Sequence, residues 1–405
     1  MEFLTVDTHE PAVLRLQLEM ERFRKDKGHS VNLLRFSWEN IWRELVNVAI
    51  YRHGPDIAEI GSTWLESLVA MQSLNPFSAR DIDRIGGKEI FFPVAWQNVI
   101  LPNQKEIWGI PFRAEARVVF YWKDIFENAG VDTSETFLTT ENMAASFAIL
   151  QEKGISAWIA PTNDTHNTVY NIASWIWGAG GDFLSSDGKR TDLGSPTVRH
   201  GVQAYFDLLR FMPQQTLPFT DNDTLRFFSE RKVAAMVSGP WLISTLLLQT
   251  DMEKWMPHLG IALPPGPPFV GGTILVIWKH SKYPSEAVAL IERLTSPEFQ
   301  SEYCRISGLL PVRQDLWTDE YSSGDEYIPI FNKAIRAGRA MPPTALWGII
   351  EDRLSKTMGA IWQDLYALNM PGKPINMLDS IIARHFESLA VRLDVTLSES
   401  NDRRL

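Results

Sequence analysis

Ile110-Pro111-Phe112-Arg113-Ala114-Glu115-Ala116-Arg117-Val118-Val119-Phe120-Tyr121-Trp122-Lys123-Asp124-Ile125-Phe126-Glu127-Asn128-Ala129-Gly130 reads as a strand running directly into a helix. Residues 116–121 form the strand, 123–128 form a short helix, and Gly130 ends it as a left-handed cap. Upstream, short apolar runs at 3–6, 31–36 and 57–60 alternate with amphipathic stretches. The first of these starts near Pro11, carries Val13, Leu16, Met20 and Phe23 at helical spacing, and stops at Gly28. Ser37 is placed to cap a second helix, and Ser62-Thr63-Trp64 opens a third. Strand–helix–strand repeats of this length predict an α/β protein whose parallel sheet is covered by helices on both faces. Ligand loops in such sheets lie beyond the carboxyl ends of the strands, which singles out 7–10, 37–42 and 62–64.

Downstream, helices are predicted over 140–153 and from Ser195-Pro196 through Met212, and strands over 156–160 and 233–237. The second of these strands runs into Ser238-Gly239-Pro240-Trp241. Pro264-Pro265-Gly266-Pro267-Pro268 is the most loop-like stretch of the chain, and a strand follows at 273–278. The last ninety or so residues read as helical, including 346–368 and 375–393, and no internal repeat is visible.

Composition narrows the function classes. A chain of 405 residues exceeds one ordinary core, and 45% hydrophobic with 22% charged residues is globular. A net charge of −10 argues against nucleic-acid binding. No apolar run approaches the length of a membrane span. Cys304 is the sole cysteine, which excludes an internal disulfide and a cysteine-based zinc cluster. The start, Met1-Glu2-Phe3-Leu4-Thr5-Val6-Asp7, lacks a basic and apolar export signal. That start fits either a cytosolic protein or a mature form whose signal has been removed.

Five segments in register resemble family 1 extracellular solute-binding proteins, the maltose- and trehalose-binding proteins of bacterial ABC importers. They are 110–130, Trp175-Ile176-Trp177-Gly178-Ala179-Gly180-Gly181-Asp182, Phe228 to Trp241, Phe269-Val270-Gly271-Gly272, and Ser296-Pro297-Glu298-Phe299-Gln300 leading to Gly308-Leu309-Leu310-Pro311. The resemblance implies a two-lobed periplasmic-binding-protein fold, type II-like, with a hinge of two or three crossings. It places 1–114 plus 270–318 in an N-terminal lobe and 115–269 plus 319–405 in a C-terminal lobe. It further implies export to the periplasm, a monomer that closes on a solute in the cleft, and docking to a membrane permease. The first loop, Asp7-Thr8-His9-Glu10, matches no sugar-specific pattern.

A sugar presents apolar C–H faces and a rim of hydroxyls, so indoles and carboxylates are the side chains to look for. Fifteen tryptophans are present, and Trp38, Trp64, Trp177, Trp241 and Trp347 fall at loop or helix-start positions or align with family stacking residues. Core packing is the competing reading for each. Tyr170 and Trp177, seven apart, share a helix face, whereas Trp175 points away into the core. Glu115 aligns with a hydroxyl acceptor of the family; the alternative is a salt bridge to Arg113 or Arg117. Asp7, Glu10 and Thr63 are added as strand-end residues, and Arg313 lies either at the ligand or on the lobe surface. Arg113, Arg117 and Arg313 keep an anionic solute open. Gly271 and Gly272 are expected to let backbone pass closely.

No enzyme constellation stands out. A phosphate loop, a dinucleotide fingerprint, a nucleophile elbow and a His-Glu-x-x-His helix are all missing, and the eight histidines are scattered. Asp221-Asn222-Asp223 begins like a calcium loop but lacks its glycine and distal glutamate, so it reads as a helix cap. No metal or cofactor is expected. A glycoside hydrolase is the enzymatic rival, since paired carboxylates with tryptophans also describe that site; a ligand-sensing receptor is the other alternative.

Overall fold

The strand and helix periodicities resolve into two separate sheets in a computed structural model, which describes residues 1–6, 9–101, 104–163, 165–215, 217–249, 252–318, 326–342, 344, 346–368 and 377–402. In chain order the strands are β1 (Glu2–Val6), β2 (Asn32–Phe36), β3 (Ile57–Gly61), β4 (Leu74–Asn75), β5 (Ile110–Ala116), β6 (Val118–Trp122), β7 (Ser156–Ile159), β8 (Val233–Ser238), β9 (Leu259–Ala262), β10 (Val270–Trp278) and β11 (Leu310–Pro311).

The chain divides into two compact units. The first comprises Met1–Ala116, Val270–Arg336 and Pro343–Gly348; the second comprises Arg117–Phe269, Ala337–Pro342 and Ile349–Leu405. The expected α/β, two-lobed architecture is therefore present. The run read as one strand around residue 116 is in fact two, β5 in the first lobe and β6 in the second, parted at Arg117. The expected tail boundary also differs. The helix Ile328–Ala337 begins in the first lobe, where the Arg336 guanidinium lies 5.3 Å from the Phe92 ring.

In the first lobe the strand order is β11-β5-β10-β3-β1-β2, with β4 paired to β10. Only β1 with β2 and β1 with β3 are parallel. β10 runs antiparallel to both β3 and β5, so the sheet is mixed, not parallel as the N-terminal repeats suggest. The reversal arises because the chain leaves the first lobe at the end of β5, after Ala116, and returns beside that point at Val270, so β10 runs back along β5. The core strands are buried on both faces: all five residues of β3 are buried, as are eight of the nine in β10. Gly272 has a φ of 134°, and a side chain there would run into the Arg113 carbonyl. Its sequence reading as a point of close backbone approach holds.

A buried charge cluster locks three of these strands together. Glu59 on β3 is fully buried and forms an ion pair with Arg113 on β5. It also accepts a hydrogen bond of 2.6 Å from the Thr5 hydroxyl on β1. Arg113 donates in turn toward the Val6 carbonyl at 3.4 Å.

The second sheet has the order β7-β8-β6-β9, with β7 and β8 parallel and β6 antiparallel to both neighbours. Its helices follow the expected signals. Ser195 caps Pro196–Asp207 through the Val198 amide at 3.2 Å. Asp221–Ser229 starts with a capping box of Thr220 and Asp223, so Asp221-Asn222-Asp223 is a helix start, as read, with Thr220 as the cap. Ser37 does not cap through its side chain; its oxygen accepts instead from the Asn40 amide group.

Candidate functional site

In the first lobe, three indoles gather beyond the carboxyl ends of β2 and β3. Trp38 opens the helix Trp38–Tyr51, and Trp64 ends the 3-10 turn Ser62–Trp64. Their ring centroids lie 5.6 Å apart, edge to face, and Trp42 adds a third ring 5.5 Å from Trp64. Trp38 is 42% exposed, an unusual state for an indole that would otherwise pack inward. Trp64 leans on Gly61, where an added Cβ would meet the ring at 3.3 Å. Thr63, between them in the turn, is half-buried. Trp42 belongs to this group; it ends the stretch 37–42 singled out as a ligand loop but was not among the named stacking candidates.

The remaining first-lobe candidates separate from the indoles in character. Glu10 is exposed and pairs with Arg35 at 3.3 Å. Asp7 lies outside the described residues. Glu115 is half-buried on β5, opposite Gly271 in the strand register. Of the two arginines, Arg113 and Arg117, offered as alternative salt-bridge partners for Glu115, Arg113 pairs with Glu59. Arg313 is neither a surface nor an open group. It is buried, chelates the Asp315 carboxylate through two nitrogens at 3.0 and 2.5 Å, and donates to the Thr295 carbonyl. Trp347 belongs to the first lobe and is 1% exposed, so its indole is enclosed on both faces.

The second lobe assembles a tighter aromatic group around Arg117. The guanidinium carbon lies 4.8 Å from the Trp241 ring centre and 5.8 Å from that of Tyr170. Tyr170, on the helix Thr165–Gly178, stacks on Phe269 at 4.8 Å and 22°. Its hydroxyl donates to Glu351 Oε1 at 2.5 Å, a short charge-assisted bond to a buried carboxylate. Trp241, half-buried, follows β8 through Ser238-Gly239-Pro240, and its ring occupies the volume a Cβ at Gly239 would need. The helix carrying Tyr170 is seated by another close approach: a Cβ at Gly178 would meet the Pro265 carbonyl at 2.9 Å. Phe269 opens one of the five family-like segments but was not named as a ligand residue, and Glu351 carries no motif of its own.

Trp177 and Tyr170 share a helix but not a state. Trp177 is 5% exposed, donates its N–H to Asp182 at 3.1 Å, and is covered by the Arg339 guanidinium 4.8 Å from its centre. Arg339 closes the arrangement with a 2.5 Å ion pair to Asp182. Trp177 is therefore a packed indole with its polar atom satisfied, the competing reading for any tryptophan here. Trp175 is buried, as its helix position indicated.

Among the described residues, no group of three His, Cys, Asp or Glu side chains is placed to hold a metal ion, and no helix is long and apolar enough to cross a membrane.

The two-sheet topology and five-segment register match one class of protein. Residues 20–327 fit the model of the bacterial extracellular solute-binding protein family, and the chain belongs to that family. Binding proteins of Brucella abortus and Brucella suis are 22% identical over 349 residues, which is 84% of this chain and 82% of theirs. Among solved structures, the GacH receptor of Streptomyces glaucescens, determined unliganded and with acarbose, superposes with a TM-score of 0.78 at 18% identity, covering 96% of this chain and 98% of that one. The sugar-binding protein MalE of Xanthomonas citri gives a TM-score of 0.78 at 21% identity over 98% of both chains. Maltose-bound MalE3 of T. maritima gives 0.76 at 19% identity, covering 96% and 99%.

Proposed function

We propose that this solute-binding protein captures a neutral carbohydrate, an oligosaccharide or related polyol, outside the cytoplasm and hands it to the membrane permease of an ABC importer. The observation that carries this reading is the Arg117–Trp241–Tyr170–Phe269 group, with Glu351 bonded at its edge. Flat rings beside a charge-assisted hydroxyl–carboxylate pair suit a ligand that is apolar on its faces and hydroxylated on its rim. Trp38, exposed beside half-buried Trp64, offers a second surface of the same chemistry. Acarbose with GacH and maltose with MalE3 are ligands of that kind on the same fold.

The positions of the arginines support a neutral ligand. The three that left an anionic solute open are each engaged: Arg113 with buried Glu59, Arg313 with Asp315, and Arg117 beneath two rings. A phosphate would have to strip one of these from its partner, at a cost of several kcal/mol for the buried pair.

Binding without hydrolysis is part of the proposal, and the family's description as binding proteins supports it. A glycosidase needs two carboxyl groups flanking one bond. Here the best-placed acid, Glu351, is occupied by Tyr170. A micromolar sugar corresponds to about −8 kcal/mol, net of ordering and desolvation.

A thermal-shift screen over di- and trisaccharides, polyols and sugar phosphates tests this directly. A neutral sugar raising the melting temperature, with Trp241→Ala and Glu115→Ala each weakening it more than about tenfold by calorimetry, supports the reading. Stabilisation by sugar phosphates alone, or turnover of nitrophenyl glycosides, overturns it.

A further inference from the structure

We propose that Arg117 is a positioning residue for solute recognition, setting the pose of Trp241 and Tyr170 from beneath; this rests on the reading that those rings hold the sugar. Arg117 is 7% exposed, so its guanidinium is not a surface group offered to solvent. It lies within cation–π range of both rings, and the two rings come from distant parts of the chain, one after β8 and one on the helix Thr165–Gly178.

The backbone ties this arrangement to the points where the chain passes between lobes. Arg117 is the first residue of the second lobe's main segment and Phe269 is the last. The Arg117 amide donates to the Phe269 carbonyl at 2.9 Å. Both side chains meet Tyr170, one by cation–π contact and one by stacking. One residue outward, Ala116 and Val270 are partners in the β5–β10 ladder of the first lobe. The two groups on which Tyr170 rests are therefore the two residues that flank these joints.

A planar guanidinium suits this role where an ammonium does not, because it presents a flat, weakly hydrated face to each ring. Lysine retains the charge and loses the plane, which makes Arg117→Lys the informative companion to Arg117→Met.

The test uses the full chain labelled with 5-fluorotryptophan, with the Trp241 and Trp38 resonances assigned by their loss in Trp241→Phe and Trp38→Phe. Arg117→Met is expected to shift or broaden the Trp241 signal and leave that of Trp38 in place. Arg117→Lys is expected to do the same with the melting temperature close to wild type, and it decides the matter if the methionine variant does not fold. With maltose, trehalose and maltotriose as probes, whichever binds tightest should lose about tenfold in affinity on Arg117→Met. It should lose little more when that change is added to Trp241→Ala. An unmoved Trp241 resonance in a folded Arg117 variant overturns the positioning role while leaving the sugar site standing. Wild-type sugar affinity in Trp241→Ala overturns the site reading itself, and the role of Arg117 falls with it.

Discussion

The indole of Trp241 rests in the space that a side chain at Gly239 would fill. The glycine two residues before the tryptophan lets the ring fold back over the backbone where β8 ends, and a methyl group there has to displace it. Gly239→Ala is therefore expected to weaken sugar binding by about tenfold or more, and to cost about 1–3 kcal/mol in stability through overpacking. Calorimetry and thermal unfolding together check both. In a Trp241→Ala background the same glycine change should be nearly silent.

The Glu59–Arg113 pair is a buried charge cluster, and removing one partner strands the other. Arg113→Met should lower stability by about 3–5 kcal/mol, whereas a double replacement of Glu59 and Arg113 by apolar residues should recover much of it. Denaturant titration of the three variants measures this. Equal losses in the single and double variants would place the cost in packing instead.

Acid should unfold the protein in part through Glu19. Burial pushes this carboxyl up, but hydrogen bonds and charge from Arg15 and Arg293 outweigh it and hold the group below its ordinary value of 4.5. Asp124 behaves the same way: burial is opposed and outweighed by Arg231, and the carboxyl sits below 3.8. A depressed folded value means that the unfolded chain takes up the proton first as pH falls. The stabilisation is thus complete above the ordinary carboxylate range and drains away as pH drops through the lowered values. Stability measured against pH should fall steeply below about pH 4.5, and Glu19→Gln should flatten that limb.

Cys304 should be inert while the protein is folded. It is fully buried, and burial pushes its thiol up to about 12, leaving almost no thiolate at neutral pH. A thiol-specific reagent should react only at the rate of unfolding, and a fast stoichiometric reaction under native conditions would contradict the burial.

Much of the architecture was legible because it is written in local signals. Pro11 with Gly28, Ser195 with Pro196, and the run through Gly130 bound elements that the fold contains. The sense of β10 was not legible, since no residue in 270–278 records that its neighbours were made before the second lobe. At the site, Ser238-Gly239-Pro240-Trp241 and the helix position of Tyr170 pointed to residues that do come together. Trp177 and Trp347 failed to separate from these because an indole's exposure depends on what lands on it. Arg339 lands on Trp177 from far along the chain. The roles of Phe269 and Glu351 were hidden for the converse reason: the segment beginning at Phe269 marks the family but not what that ring touches, and a glutamate in a helix has no distinguishing pattern until Tyr170 reaches it.

β10 lies between β3 and β5, yet it is made only after the whole of 117–269 has been synthesised. Until then β3-β1-β2 has an open edge at β3 and β5 has no strand partner, because β10 and β11 both come later, and the buried Arg113 and Glu59 that need each other lie on those two strands. Unpaired edges of this kind are what holdase chaperones shield. The order of synthesis therefore leaves the growing chain open for most of its length, and its first lobe is completed almost last.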